Sequence, residues 1–255
     1  MRNFNDLKDR GAALVTGASR GLGFALAFEL SRRGFDIVLS GRDEKSLSAL
    51  SEKLPTKAYI YTADLSVPGE AKRLYERIKA DGIDLSVLVN NAGVGASGEA
   101  QSVSESADDK IIEINIRSAL TLTKLFLSDA YGKGCGALLN VCSVGAFQPG
   151  PYTASYYASK SFLHSYTLAV RHEAKRHGVS VSSLCPGPLD TDFFETAGAN
   201  KPKTSMPPDE AARYAVEKFL HGKKVIVPGF YNRLARPVPA GIKTKFIAKI
   251  KNKDR

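Results

Sequence analysis

The stretch Ala12-Ala13-Leu14-Val15-Thr16-Gly17-Ala18-Ser19-Arg20-Gly21-Leu22-Gly23 decides the fold. Its first five residues are a short apolar run, as expected of a buried strand. Gly17, Gly21 and Gly23 follow, and a backbone without Cβ atoms can turn sharply and lie close against a ligand. Phe24 to Arg33 then reads as a helix. A helix start presents unpaired N–H groups and the positive end of the dipole, which suits a pyrophosphate. The spacing GxxxGxG is a variant of the GxGxxG dinucleotide fingerprint. A turn with a purely structural purpose is the plain alternative. The strand before and the helix after favour nucleotide binding, with Gly17, Ser19, Arg20, Gly21, Leu22 and Gly23 around the phosphates.

Outward from this turn, strands and helices alternate. Asp36–Ser40, Thr56–Thr62, Leu85–Val89, Gly136–Cys142, Val179–Leu184 and Lys224–Val227 read as strands. Val67–Ala80, Ser104–Ala130, the stretch from about Ser155 to His177, and Pro208–Leu220 read as helices. This order specifies an α/β, doubly wound, Rossmann-like parallel sheet of about seven strands with helices on both faces. One domain is expected over residues 1–230, with a basic, helical tail over 231–255. Ligands of such sheets bind at the carboxyl ends of the strands.

The second strand tip reads Ser40-Gly41-Arg42, with no acid to meet a ribose 2′-hydroxyl. Asp43 and Glu44 fit the first turn of the next helix, where the dipole favours them. Either Arg20 or Arg42 alone is equally a solvated side chain. Together, with no acid at the tip, they point to a 2′-phosphate and hence to NADP(H).

Later in the chain stands Ser155-Tyr156-Tyr157-Ala158-Ser159-Lys160. Residues four apart share a helix face, so Lys160 stands beside Tyr156. A nearby positive charge favours phenolate and is expected to lower the Tyr156 pKa. A tyrosine able to exchange a proton near neutral pH suits work on a carbonyl or an alcohol. Tyr157 would need Ser161 where Lys160 stands, so Tyr156 keeps the role. The spacing alone is common, and an exposed helix face is its bland reading.

TGxxxGxG after the first strand and Asn90-Asn91-Ala92-Gly93 after the fourth resemble the short-chain dehydrogenase/reductase family. The resemblance covers about residues 12–230 and five motifs in order. It implies that Asp64 and Leu65 meet the adenine and that Asn91, Ala92 and Gly93 pass close to the cofactor. It implies that Asn115 kinks its helix and holds a water in line with Lys160. Ser143 precedes Tyr156 by 13 residues, the family interval between catalytic serine and tyrosine. Ser143 would then bind the substrate oxygen, Tyr156 act as acid or base, and Lys160 hold the nicotinamide ribose. Pro186, Gly187 and Thr191 match the segment that meets the nicotinamide. Substrate contacts are expected from Ser143, Gly145, Phe147, Tyr156 and Phe193, with Phe193–Met206 as a mobile lid. The implied activity is reversible hydride transfer to a fairly apolar carbonyl, its substrate unidentified, in a homodimer or homotetramer. A non-catalytic NADP(H)-binding regulator is the alternative, against which the full set of four polar residues argues.

The formal charge is +10, but ten Lys or Arg against one acid lie in residues 223–255. The basicity belongs to the tail, so nucleic-acid binding is not expected. Ile242, Phe246, Ile247 and Ile250 fall at helical spacing between lysines there, as in a helix on an anionic membrane surface or one packed on protein. A polar N-terminus and no long apolar run suggest a cytoplasmic chain. Cys135, Cys142 and Cys185 make no CxxC pair and read as reduced, half-buried thiols. His164, His172, His177 and His221 show no metal spacing and read as surface or packing residues, so no metal is expected.

Overall fold

The computed structural model describes residues 4–253. Seven parallel strands form one sheet in the order β3-β2-β1-β4-β5-β6-β7. They are β1 (Ala12–Thr16), β2 (Ile37–Gly41), β3 (Ala58–Thr62), β4 (Leu85–Asn90), β5 (Gly136–Val141), β6 (Val179–Leu184) and β7 (Val225–Ile226). The chain winds outward from β1 to β3, returns to β4 beside β1, and winds outward the other way. Val15 pairs with Leu39 on one side and Val89 on the other. The order therefore reverses between β1 and β4, where the carboxyl ends leave a crevice.

Alternating strand residues feed two apolar layers. Ala13, Val15, Leu39, Val87 and Leu139 pack on one face, under α1 (Gly21–Arg32), α2 (Glu44–Ser51) and α8 (Pro208–Leu220). Leu14, Val38, Leu88, Leu138 and Val181 pack on the other, under α3 (Glu70–Ala80), α5 (Ala119–Lys133) and α6 (Ala154–Lys175). The remaining helices are α4 (Glu105–Ile111), α7 (Phe193–Thr196), α9 (Phe230–Ala235) and α10 (Ala240–Lys253).

Several expected boundaries move. β3 begins at Ala58 because Thr56 is occupied elsewhere: its hydroxyl donates to the Phe35 carbonyl at 2.6 Å. α3 begins at Glu70, after Gly69 turns in the left-handed region at φ 82°. The long helix expected over Ser104–Ala130 is three segments: α4, a π-helical turn over Ile112–Ser118, and α5. The π turn is centred on Asn115, the residue at which the resemblance implies a kink. The basic tail is helical in two pieces, α9 and α10. The Ile250 side chain lies outside the described residues. No described helix is long and apolar enough to cross a membrane.

A polar chain crosses the second layer. Asn90 Nδ2 donates to Asn140 Oδ1 at 2.9 Å, and Asn140 Nδ2 donates to Thr167 Oγ1 at 2.9 Å. It ties β4, β5 and α6 together below the crevice. Removing its middle member deletes two buried hydrogen bonds, a loss of about 1–3 kcal/mol. Asn140→Ala is therefore expected to lower the urea midpoint by that free energy with an unchanged denaturant slope, and an unaltered midpoint would remove the network from the list of stabilising contacts.

Candidate active site

The carboxyl ends of the strands open on one cleft of about 1070 Å³. Gly17, Ser19, Arg20, Gly21, Leu22, Gly23, Arg42, Asp64, Leu65, Asn91, Ala92, Gly93, Tyr156, Lys160, Pro186, Gly187 and Thr191 all line it. Every residue expected to meet the nucleotide thus stands on a single surface.

At one end, the loops after β1 and β4 are clasped. The Thr16 hydroxyl oxygen accepts from the Asn91 and Ala92 amides at 3.0 and 3.1 Å. Asn91 Nδ2 donates to the carbonyls of Thr16 and Gly17 at 2.9 and 3.2 Å. Gly23 lies in this clasp: a Cβ there would stand 2.1 Å from the Gly17 oxygen and 2.4 Å from Asn91 Nδ2. The cradle is thus open only because glycine occupies it, and it leaves the start of α1 facing the cleft, as a pyrophosphate requires.

Arg42 is exposed beside Asp64 at the tips of β2 and β3. Burial pushes the Asp64 carboxyl up, but hydrogen bonds from Ser66 and the charge of Arg42 outweigh it and hold it below its usual range. Asp43 is committed to capping α2, accepting from the Ser46 amide and hydroxyl at 3.2 and 2.6 Å. It is therefore not the missing acid at the β2 tip. Arg20 reaches across the cleft to Asp192, at 3.6 Å.

The inner end gathers the polar residues expected to act. Ser143 follows β5 in extended backbone and accepts from the Gly145 amide at 3.0 Å. Tyr156 and Lys160 lie on α6, and Lys160, only 4% exposed, donates to the Val141 carbonyl at 2.9 Å. Its Nζ sits 5.8 Å above the Tyr156 ring. Gly93 fits between Lys160 and Asn115, since a Cβ there would come 3.1 Å from Nζ and 3.4 Å from Asn115 Oδ1. Asn115, at the π turn, accepts from the Val94 amide and donates to the Val94 carbonyl, both at 2.9 Å. It also donates to Ser159 Oγ at 3.0 Å. Asn115 does not line the cleft; it braces the loop that does.

The expected lowering of the Tyr156 pKa is corrected. Burial pushes the phenol well above its usual value, and the hydrogen bond with Ser143 opposes this without prevailing. Burial likewise pulls Lys160 below its usual value. Dense packing around both groups disfavours each charge more than their proximity stabilises it. The neutral phenol is the form that can donate a proton.

Two expected substrate contacts move out of the cleft. The Phe147 ring packs edge-on against His164 at 5.2 Å and under the Arg236 guanidinium at 5.3 Å. Gly145 is buried, its amide directed at Ser143. Phe193 does line the cleft, its ring 5.2 Å from that of Tyr156. The lid is pinned where Leu189 and Met206 bridge, and it contains one turn of helix, α7. Sequence reasoning missed Tyr152 and Ile247 as lining residues. Tyr152 adopts φ 61°, a conformation that side chains other than glycine rarely take. The Gly150-Pro151 pair signalled a turn there but not its handedness. Ile247 comes from the tail, so the tail contributes to the wall of the cleft.

The cysteines are fully buried, not half-buried, at 8%, 2% and 0% exposure for Cys135, Cys142 and Cys185. His164, read as a surface or packing residue, bonds through Nδ1 with the Ser183 hydroxyl at 2.8 Å.

A family model described as short chain dehydrogenase matches residues 11–202. An uncharacterized oxidoreductase of Staphylococcus epidermidis is 31% identical over 211 residues, covering 82% of this chain and 92% of that protein. A very-long-chain 3-oxoacyl-CoA reductase of Anas platyrhynchos is 31% identical over 215 residues, covering 80% of this chain and 67% of that one. A short-chain dehydrogenase from Sphingobium yanoikuyae in complex with NADPH superposes with a TM-score of 0.81 at 25% identity, over 95% of this chain and 94% of that one. With the glycine cradle, the reversing sheet and the serine, tyrosine and lysine on one cleft, these matches establish that the chain belongs to the short chain dehydrogenase family of oxidoreductases.

Proposed function

We propose that the chain is an NADP(H)-dependent reductase of a fairly apolar carbonyl compound, acting in reverse on the secondary alcohol. The observation that carries this reading is the meeting of Ser143, Tyr156 and buried Lys160 at the inner end of the cleft whose outer end holds Arg42 and the glycine cradle. The nicotinamide would supply or accept the hydride. Gly17, Gly21 and Gly23 would hold its pyrophosphate, Arg42 and Arg20 the 2′-phosphate, and Asp64 with Leu65 the adenine. Pro186, Gly187 and Thr191 would flank the nicotinamide.

Ser143, its oxygen already oriented by the Gly145 amide, would hydrogen-bond the substrate oxygen as charge develops on it. Tyr156 would then give its proton to that oxygen. A phenol kept neutral by burial is suited to this donation. Lys160 would hold the ribose hydroxyls and assist reprotonation of Tyr156. Asn115 would act indirectly, holding Val94 and so Gly93 against Lys160. The non-catalytic regulator reading is disfavoured, because it gives this buried lysine and its neighbouring phenol no purpose.

Phe193, Phe194, Tyr152 and Ile247 line the substrate end and support an apolar substrate. A 3-oxoacyl thioester is one candidate, in keeping with the reductase from Anas platyrhynchos. Exposed Ile112 and Phe162, on the π turn and α6, support pairing of subunits through these helices. Burial of all three thiols agrees with a cytoplasmic setting.

The tail supports a second, compatible reading. Ile242 and Phe246 on α10 are 61% and 66% exposed, while Ile247 of the same helix turns into the cleft. An outer face of exposed apolar residues among lysines suits an anionic membrane surface, which would bring the cleft mouth to the bilayer.

Three measurements test these readings. Against a panel of ketones and aldehydes, Tyr156→Phe is expected to cut NADPH-dependent turnover by about 100-fold or more while leaving NADPH affinity within a few-fold. Near-normal turnover would dismiss Tyr156 as the acid. Arg42→Ala is expected to weaken NADPH binding about 10- to 100-fold and NADH binding hardly at all. Equal weakening of the two would dismiss the phosphate contact. Liposomes containing anionic lipid are expected to sediment the full chain but not Phe246→Glu, and equal partition of both would rule out the membrane face.

A further inference from the structure

Four polar side chains converge just behind Ser143, in a pocket that the proposed chemistry does not use. Val141 and Leu184 are register partners on β5 and β6, so the next residues, Cys142 and Cys185, stand side by side. Both are buried among Ala119, Leu163, Val225 and Val227. Ser183, two residues before Cys185, lies on the same side of β6. Its hydroxyl is 3.4 Å from each of the two sulfurs. His164 comes down from α6, with Nδ1 3.7 Å from the Cys185 sulfur and 2.8 Å from the Ser183 hydroxyl. The two sulfurs and the imidazole nitrogen all lie within 4.8 Å of one another.

We propose that Cys142, Cys185 and His164 bind one soft d10 cation, Zn2+ in its simplest form, with the Ser183 hydroxyl oxygen at the fourth corner. The argument is one of size and chemistry. Zinc takes thiolate sulfur at about 2.3 Å and imidazole nitrogen at about 2.0–2.1 Å in tetrahedral array. Two donors at those distances from a tetrahedral centre stand about 3.3–3.8 Å apart. The separations of 3.4, 3.4 and 3.7 Å fall in that window. The 2.8 Å contact between His164 and Ser183 is a hydrogen bond, and it has to open by about half an ångström as the ion enters, the imidazole keeping its proton on Nε2 and the Ser183 hydroxyl keeping its own.

The charge balances. Two thiols lose their protons to solvent and neutral imidazole adds none, so a dication with two thiolates is neutral in a buried pocket. No oxidant or reductant is required. Cys142 and Cys185 are buried, but His164 is half-buried and gives the ion a route from the α6 surface. The ion would fasten the ends of β5 and β6, one residue before Ser143 and one before Pro186. Its role would be structural, and its detection does not depend on any activity.

Cobalt(II) is a visible probe for such a site. Tag-free, reduced, metal-stripped full-length chain is titrated with Co2+ without oxygen. A thiolate-to-cobalt charge-transfer band with the visible absorption of tetrahedral cobalt is expected, saturating at one equivalent per chain and abolished by Zn2+. Cys142→Ser and Cys185→Ser are each expected to bind more than about tenfold more weakly, while Cys135→Ser, whose sulfur faces Arg10 elsewhere, binds as before. Absence of the charge-transfer band in the unaltered chain overturns the proposal even if a variant fails to fold. A band that survives in both Cys142→Ser and Cys185→Ser also overturns it.

Discussion

The clasp between the loops after β1 and β4 is the contact on which the rest of the site depends. Asn91 and Ala92 donate four hydrogen bonds to Thr16 and Gly17 across the point where the sheet reverses. Each contributes only about 0.5–1.5 kcal/mol net, but together they set the spacing of the crevice. They pull the two loops so close that no side chain fits at Gly23. The glycine turn is therefore more than a flexible stretch. It is shaped by a neighbour more than seventy residues away in the chain, and that shape leaves the α1 start open to an anion.

At the other end of the cleft, burial outweighs proximity. Lys160 and Tyr156 are near enough to stabilise one another's charges, and the helical spacing alone suggests a tyrosine made more acidic. The packed surroundings act the other way on both groups. Desolvation in a poorly polarisable interior exceeds an attraction between groups whose charged atoms do not touch. The result is a neutral phenol beside an oriented serine, an arrangement suited to giving a proton. Asn115 takes part at one remove. Its π turn aims a side-chain amide at the Val94 backbone, and the loop so held keeps Gly93 against Lys160.

The end of the cleft proposed to take substrate is built differently. The nucleotide end is made from loops that directly follow strands, so its geometry follows from the sheet. The substrate end combines the turn at Tyr152, the short helix α7 and one residue of the distant tail. Lys243 donates to the Phe147 carbonyl at 3.4 Å, so α10 is tethered where Phe147 departs from the cleft. The tail thus supplies Ile247 to the cleft wall and covers Phe147.

The sequence by itself determined the sheet, the glycine cradle and the positions of Ser143, Tyr156 and Lys160. Those features are local: apolar strands alternate with helices, glycines sit at a strand end, and a tyrosine and a lysine lie one helical turn apart. A kink at Asn115 was implied only by the family resemblance, and the partner that the side chain meets was not legible. Tertiary structure alone decided the rest. It moved Phe147 and Gly145 out of the cleft and brought Tyr152 and Ile247 in, because backbone handedness and the docking of a distant helix leave no periodic trace. It reversed the expected direction of the Tyr156 pKa, because burial depends on all that surrounds a group. It also joined Cys142, Ser183, Cys185 and His164, which share no spacing motif because three separate elements supply them. Spacing along a chain reports which residues share a strand or helix, whereas packing decides which elements meet.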